Sequence, residues 1–321
     1  MDRARRQAAS GLTILPVELA SVCLVLVCSP ITATPQQLSD FKYTTNGSAI
    51  TITGYVGYDT LVIIPPNIGG LPVTSIGDHA FDHGFPSTIQ VTVPDGVTNI
   101  GNFAFYYCAS LNSITLGSGL LNIGDCAFYF CSALREIAIP NGVTNIGANA
   151  FSECLDLTSV TLPNSLINIG AGAFDSGTCT RLASITIPKS VTSLGEFVFG
   201  DCGPTSVLFL GNAPYISKTP FADYTPTTYH LPGTTGWSNT FGGAPAMLWN
   251  PTLKAPSVQS DQFSFEVTGT TNIPIVVEAS AGLAGDNWFP LQAGTLVNGS
   301  FRFTDPDWAT HPARFYRIRF P

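Results

Sequence analysis

Charge is scarce in this chain. Only 11% of its 321 residues are Asp, Glu, Lys or Arg, less than half of the roughly 25% usual for a soluble domain. Basic residues are scarcer still, 13 against 21 acidic for a net charge of −8, and between 61 and 210 they are Arg135, Arg181 and Lys189 alone. A nucleic-acid reader needs a basic stripe to displace counterions from phosphates, so nucleic acid is excluded as a partner. The apolar stretch Leu19 to Cys28 is about half of the ~20 residues that cross a bilayer as a helix. No later run is longer, and the chain reads as not transmembrane. Catalytic signatures are missing too: there is no Gly-x-Ser-x-Gly, His-Glu-x-x-His or Gly-x-x-x-x-Gly-Lys-Ser/Thr. His230 with Asp223 and one of many serines is a grouping that chance supplies in most chains. The reading is of a protein without catalytic residues, cofactor or bound metal.

What the chain has instead is punctuation and repetition. Gly (31) and Pro (24) are abundant, as in a turn-dense, strand-rich protein. The pattern Ile100-Gly101, Ala104-Phe105, Cys108 returns as Ile123-Gly124, Ala127-Phe128, Cys131 and again as Ile146-Gly147, Ala150-Phe151, Cys154. The Phe column runs 81, 105, 128, 151, 174, 199, in steps of 24, 23, 23, 23 and 25. A unit that short cannot bury its own apolar face, so it must stack on its neighbours as a solenoid. Within one unit, Ser159-Val160-Thr161-Leu162 alternates with period two and Pro163 ends the strand, since it cannot donate to a ladder. Leu166, Ile169 and Phe174 then follow on a short extended piece, a Gly-permitted bend and a short helical turn across the coil.

The unit Ser-x-Thr-x-Pro, Ile-Gly, Ala-Phe, Cys resembles the BspA-like, or Treponema-type, bacterial leucine-rich repeat over about 61–210. The resemblance implies a curved solenoid on secreted or surface-attached bacterial proteins that act in adhesion and binding, with no catalytic residues, because the motif positions are core positions. The first unit departs from it with Gly84 in place of Cys, and the fifth carries an insertion that moves Cys179. The expected fold class is an α/β solenoid: a right-handed leucine-rich-repeat coil with a parallel sheet on one face, followed by a small C-terminal all-β, sandwich-like module.

The flanks complete this organisation. Residues 1–33 read as a secretory signal peptide, with Arg3, Arg5 and Arg6, the apolar run, and Ile31-Thr32-Ala33 before cleavage, which places the protein outside the cell or on its surface. Residues 34–60 contain Asn46-Gly47 between alternating segments, a hairpin that can cap the stack. About six to seven units of 23 residues fill 61–210, residues 211–255 form a C-terminal cap and linker, and 256–321 make the small β-module, whose longer alternating strands include Phe263–Val267 and Phe315–Phe320.

Several constellations have two readings. Cys108, Cys131, Cys154 and Cys202 recur three residues after the Phe; disulfides are open to exported cysteines, but a repeated inward position favours buried thiols. His79, Asp82 and His83 could offer metal ligands, yet no third protein ligand is evident and His79 occupies a position that varies between units. Asp305 and Asp307 could hold Ca²⁺ or form a solvated turn. Thr92, Thr115, Thr161 and Thr186, interrupted by Ala138, form one ladder; Asn99, Asn122, Asn145 and Asn168 form another. Both suit strand surfaces and coil-to-coil bonding without any ligand. The sharper departure is aromatic: Phe103, Tyr106, Tyr107, Tyr129 and Phe130 crowd the second and third units where the fourth has Asn149, Ser152 and Glu153. They are the candidate binding residues, for a protein or glycan ligand; packing over adjoining coils is the other explanation. The functional expectation is a secreted, non-catalytic interaction protein. A structural envelope component, or an accessory module of an extracellular enzyme system, is the alternative.

Overall fold

A computed structural model describes residues 38–83, 89–177, 181–200, 203–222, 224–259, 262–282, 288–311 and 313–321. The expected leader, Gly84, Cys179, Cys202 and Asp223 lie outside the described residues. The architecture is the expected one, a solenoid with parallel ladders followed by an all-β module. Each coil contributes two short strands. The Asn-Ile strands, such as Asn99–Ile100, Asn122–Ile123 and Asn145–Ile146, pair in register into one long parallel ladder. It starts at the antiparallel hairpin Phe41–Thr45/Ile50–Tyr55 and ends at Tyr215–Ile216. The Ser-x-Thr strands make a second parallel face, but in three pieces, broken between Ser113–Thr115 and Glu136–Ala138 and again between Ser159–Thr161 and Ser184–Ile187.

The third side is the Ala-Phe segment. The short helical turn expected there is a chain of turns, and no α-helix occurs among the described residues. Its backbone also bonds from coil to coil: Phe103, Phe105 and Tyr107 donate N–H to the carbonyls of Asp125, Ala127 and Tyr129 at 2.8–2.9 Å. Aiming alternate N–H groups along the stack requires left-handed backbone two residues before and two after the Phe. Phe103 (φ 56°), Tyr107 (56°), Cys126 (53°), Phe130 (59°), Asn149 (53°) and Glu153 (60°) all take it. The Ile-Gly bend needs glycine for a different reason, close approach: a Cβ on Gly147 would lie 2.4 Å from the carbonyl carbon of Gly124 in the preceding coil.

Inside, Phe81, Phe105, Phe128, Phe151, Phe174, Phe199 and Phe221 stack in one spine with ring centroids 4.9–6.1 Å apart. Beside it, Cys108, Cys131 and Cys154 are buried free thiols. Their Sγ atoms donate to the carbonyls of Phe81, Phe105 and Phe128 at 3.2–3.4 Å.

The coil continues where the repeat spacing decays. Ser206–Phe209, Thr227–His230 and Ala244–Leu248 extend the Ser-x-Thr face in register, so that Thr186 aligns with Leu208, then Tyr229, then Met247. The outward column thereby turns from threonine to large apolar residues, and the C-terminal module sits on them. Leu208 and Tyr229 share a core with Phe265, Ile275, Phe303 and Phe320. The module is two three-stranded antiparallel sheets, Thr252–Gln259/Gln262–Thr268/Ser300–Asp305 and Phe289–Thr295/Pro274–Ser280/Phe315–Arg319.

Candidate functional site

The five aromatic residues singled out in the sequence are brought together on the Ala-Phe side of the second and third coils. Tyr107 stacks on Phe130 (4.5 Å, 14°) and Tyr106 on Tyr129 (5.2 Å, 19°); Phe103 meets Tyr106 edge-on (5.3 Å, 72°). Tyr107 is exposed and the other four are half-buried, so the rings are neither core nor free. Packing against neighbouring rings raises the Tyr106 and Tyr129 phenols above their ordinary value, desolvation first; for Tyr129 the Glu153 carboxylate adds to it.

His79 and His83, possible metal ligands by residue type, belong to this stripe. His79 stacks on Phe103 (4.9 Å, 4°) and His83 on Tyr107 (5.7 Å, 13°), so the columns begin one coil earlier. Both direct Nδ1 at the Asp82 carboxylate, at 2.7 and 2.6 Å. The signal was the alignment itself, which puts His79 over Phe103 and His83 over Tyr107. Among the described residues no group of three or more His, Cys, Asp or Glu could hold a metal ion. Asp305 is buried, paired with Arg314 at 2.7 Å and accepting from the Tyr316 hydroxyl at 2.9 Å. That geometry is an internal ion pair, unlike either the solvated turn or the Ca²⁺ ligand considered for it.

The cysteine column is chemically quiet. Burial pushes the Cys154 thiol up to about 12 and raises Cys131 well above its ordinary value, so the thiolate, the reactive form, is disfavoured at neutral pH. The Asn ladder bonds along itself: Asn122 Nδ2 donates to Asn99 Oδ1 at 3.0 Å and Asn168 Nδ2 to Asn145 Oδ1 at 2.7 Å. The Thr face is open but interrupted. A cleft of about 370 Å³ opens where the strand of Thr115 fails to pair with that of Ala138. A second, of about 490 Å³, lies between Thr161 and Thr186 and is walled by Arg319, Phe320 and Pro321 of the C-terminal module.

The sequence profile of the BspA type leucine rich repeat region matches residues 74–206 in six copies. Among solved structures, the T. pallidum leucine rich repeat protein is 31% identical, with a TM-score of 0.50 over 65% of this chain and 89% of that one. A leucine rich cell surface protein from Faecalibacterium prausnitzii A2-165 is 24% identical at a TM-score of 0.44, covering 65% of this chain and 71% of that one. The pneumococcal vaccine antigen PcpA is 27% identical at 0.45, covering 53% and 48%. No curated protein matches the chain.

Proposed function

The chain belongs to the BspA-type leucine-rich repeat family, and we propose that it is a non-catalytic interaction protein of the bacterial surface or extracellular space whose contact surface is the aromatic stripe. One observation carries this reading. Phe103, Tyr107 and Phe130 hold bulky rings at positive φ, where a residue other than Gly costs roughly 1–2 kcal/mol. In the next coils the Phe103 position passes to Cys126, Asn149 and Gly172, and the Tyr107–Phe130 position passes to Glu153. A purely structural turn would favour Asn or Gly throughout, and strained aromatics in partial exposure are common at contact sites. The Thr face has hydroxyls but no exposed aromatic anchor, and its clefts come second. No helix among the described residues is long and apolar enough to cross a membrane. Export by the expected leader over 1–33 is part of the same proposal.

The test is retention of the purified chain on immobilised extracellular-matrix proteins, bacterial surface proteins and polysaccharides. At least one should hold the native chain and lose the Tyr107→Ser/Phe130→Ser variant. If that variant is retained on every surface that holds the native chain, the stripe is not the contact surface.

A further inference from the structure

Resting on the reading of the stripe as the contact surface, we propose that its partner is a protein segment carrying Arg or Lys among apolar side chains, and not a glycan. Stacking leaves the rings open mainly at their edges. Tyr107 is covered on one face by His83 (5.7 Å, 13°) and on the other by Phe130 (4.5 Å, 14°). One face of Phe103 is taken by His79 and one of Tyr106 by Tyr129. In the next coil the positions aligned with Phe103 and Phe130 are Cys126 and Glu153, so the second faces of these rings look along the stack. Successive coils are only about 4.8 Å apart, too close for a sugar ring to enter. A pyranose gains its aromatic contact by lying flat on a free ring face, which this stripe does not offer. It offers a row of ring edges, an apolar strip suited to aliphatic side chains.

The sequence around the stripe is acidic. From residue 43 to residue 134 the sequence contains no Lys or Arg, while Asp59, Asp78, Asp82, Asp95 and Asp125 fall within that span. Two carboxylates border the rings, Asp82 beside Tyr106 and Glu153 beside Tyr129, and a third, Asp125, adjoins Cys126, with its backbone carbonyl bonded to the Phe103 N–H. Their existing partners carry no fixed positive charge. Asp82 is shared by the two imidazoles, Asp125 Oδ1 accepts from the Ala148 N–H at 2.7 Å, and Glu153 Oε1 accepts from the Gly177 N–H at 2.9 Å. Asp125 and Glu153 keep acceptor capacity, and at Asp82, whose Oδ1 is buried, it is Oδ2 that keeps it. An Arg or Lys side chain lays its aliphatic stem on apolar surface while its head reaches a carboxylate, and Arg adds a bidentate fit. Stem on ring edges and head on Asp82, Asp125 or Glu153 is the arrangement this surface matches.

The experiment measures fluorescence anisotropy of a labelled twelve-residue peptide of alternating Arg and Leu, beside the same peptide with citrulline for Arg, and competition by maltoheptaose and xylohexaose. The native chain should bind the Arg peptide about tenfold more tightly than the citrulline peptide, and neither sugar should compete. Asp82→Asn/Asp125→Asn/Glu153→Gln keeps one acceptor oxygen at each position and should keep the fold, read by an unchanged circular-dichroism spectrum, but should abolish that preference. The distant control Glu136→Gln/Asp156→Asn/Glu196→Gln, with the same change in net charge, should keep it. Equal binding of the two peptides, no binding of the Arg peptide at about 1 mM, or ring-dependent capture of a sugar overturns the inference. Capture that needs Tyr107 and Phe130 but not the carboxylates overturns the basic partner alone. Capture that survives Tyr107→Ser/Phe130→Ser overturns the stripe as contact surface.

Discussion

Phe130→Asn separates packing from contact, because asparagine tolerates the left-handed backbone that Phe130 occupies at φ 59°. Relief of strain returns about 1 kcal/mol. Against it, the variant loses one ring stack, on Tyr107 at 4.5 Å, worth about 0.5–1.5 kcal/mol. The side chain is half-buried, so its lost burial is roughly half of the ~1.5–3 kcal/mol of a fully buried ring, or about 1 kcal/mol. The balance is a net loss of about 1 kcal/mol, which for a body of this size lowers Tm by about 2–4 °C. Thermal melting followed by circular dichroism reads the stability, and surface-plasmon capture of the partner retained by the native chain reads the contact. The expected pair of results is a small Tm change with capture lost. A fall of about 10 °C or more would show that the ring is core, and the reasoning from strain would be wrong. Unchanged capture would remove Phe130 from the contact surface.

Three further outcomes follow from the packing. Phe128 is fully buried and stacked on both sides, at 5.1 and 5.2 Å, so Phe128→Ala should cost about 3–5 kcal/mol in a urea melt; a loss under about 1 kcal/mol would mean that the spine does not couple the coils. Asp78, Asn102 and Asp125 each accept, through the side chain, the backbone N–H of the residue one coil on (2.7–2.8 Å), and the series stops at Ala148. Ala148→Asn should extend it to Ala171 and gain about 0.5–1.5 kcal/mol, read as a rise in Tm. Burial opposes ionisation of Glu278, but hydrogen bonds from Arg319 and Arg317 overcome it and hold its carboxyl below the ordinary 4.5. A depressed folded value means that its stabilisation is complete above 4.5 and is lost as pH falls below it through that lower value. Glu278→Gln should therefore cost about 1–3 kcal/mol at pH 7, discounted because both arginines are half-exposed, and should flatten the acid dependence of Tm; an unchanged acid limb would assign that dependence elsewhere.

The sequence by itself determined the solenoid, its period, its inward Phe and Cys columns and the location of the aromatic cluster. A stacked repeat makes sequence periodicity and spatial neighbourhood the same thing: residues 23 apart are in contact, so aligned columns can be read directly as ladders. The departure of Phe103, Tyr106, Tyr107, Tyr129 and Phe130 from their columns was visible for the same reason. Tertiary structure alone decided the rest. Which backbone positions must be left-handed depends on where coil-to-coil N–H groups point, and Phe103 or Tyr107 carries no local turn signal that announces it. The need for glycine at 147 arises from the approach of another coil, a distance that no local pattern contains. That Asp305 is an internal ion pair, and that Leu208, Tyr229 and Met247 continue a threonine column in order to seat the C-terminal module, depend on segments far apart in the chain and outside the repeat. Once the period is lost, sequence separation no longer reports spatial separation, and only the folded chain fixes which surfaces meet.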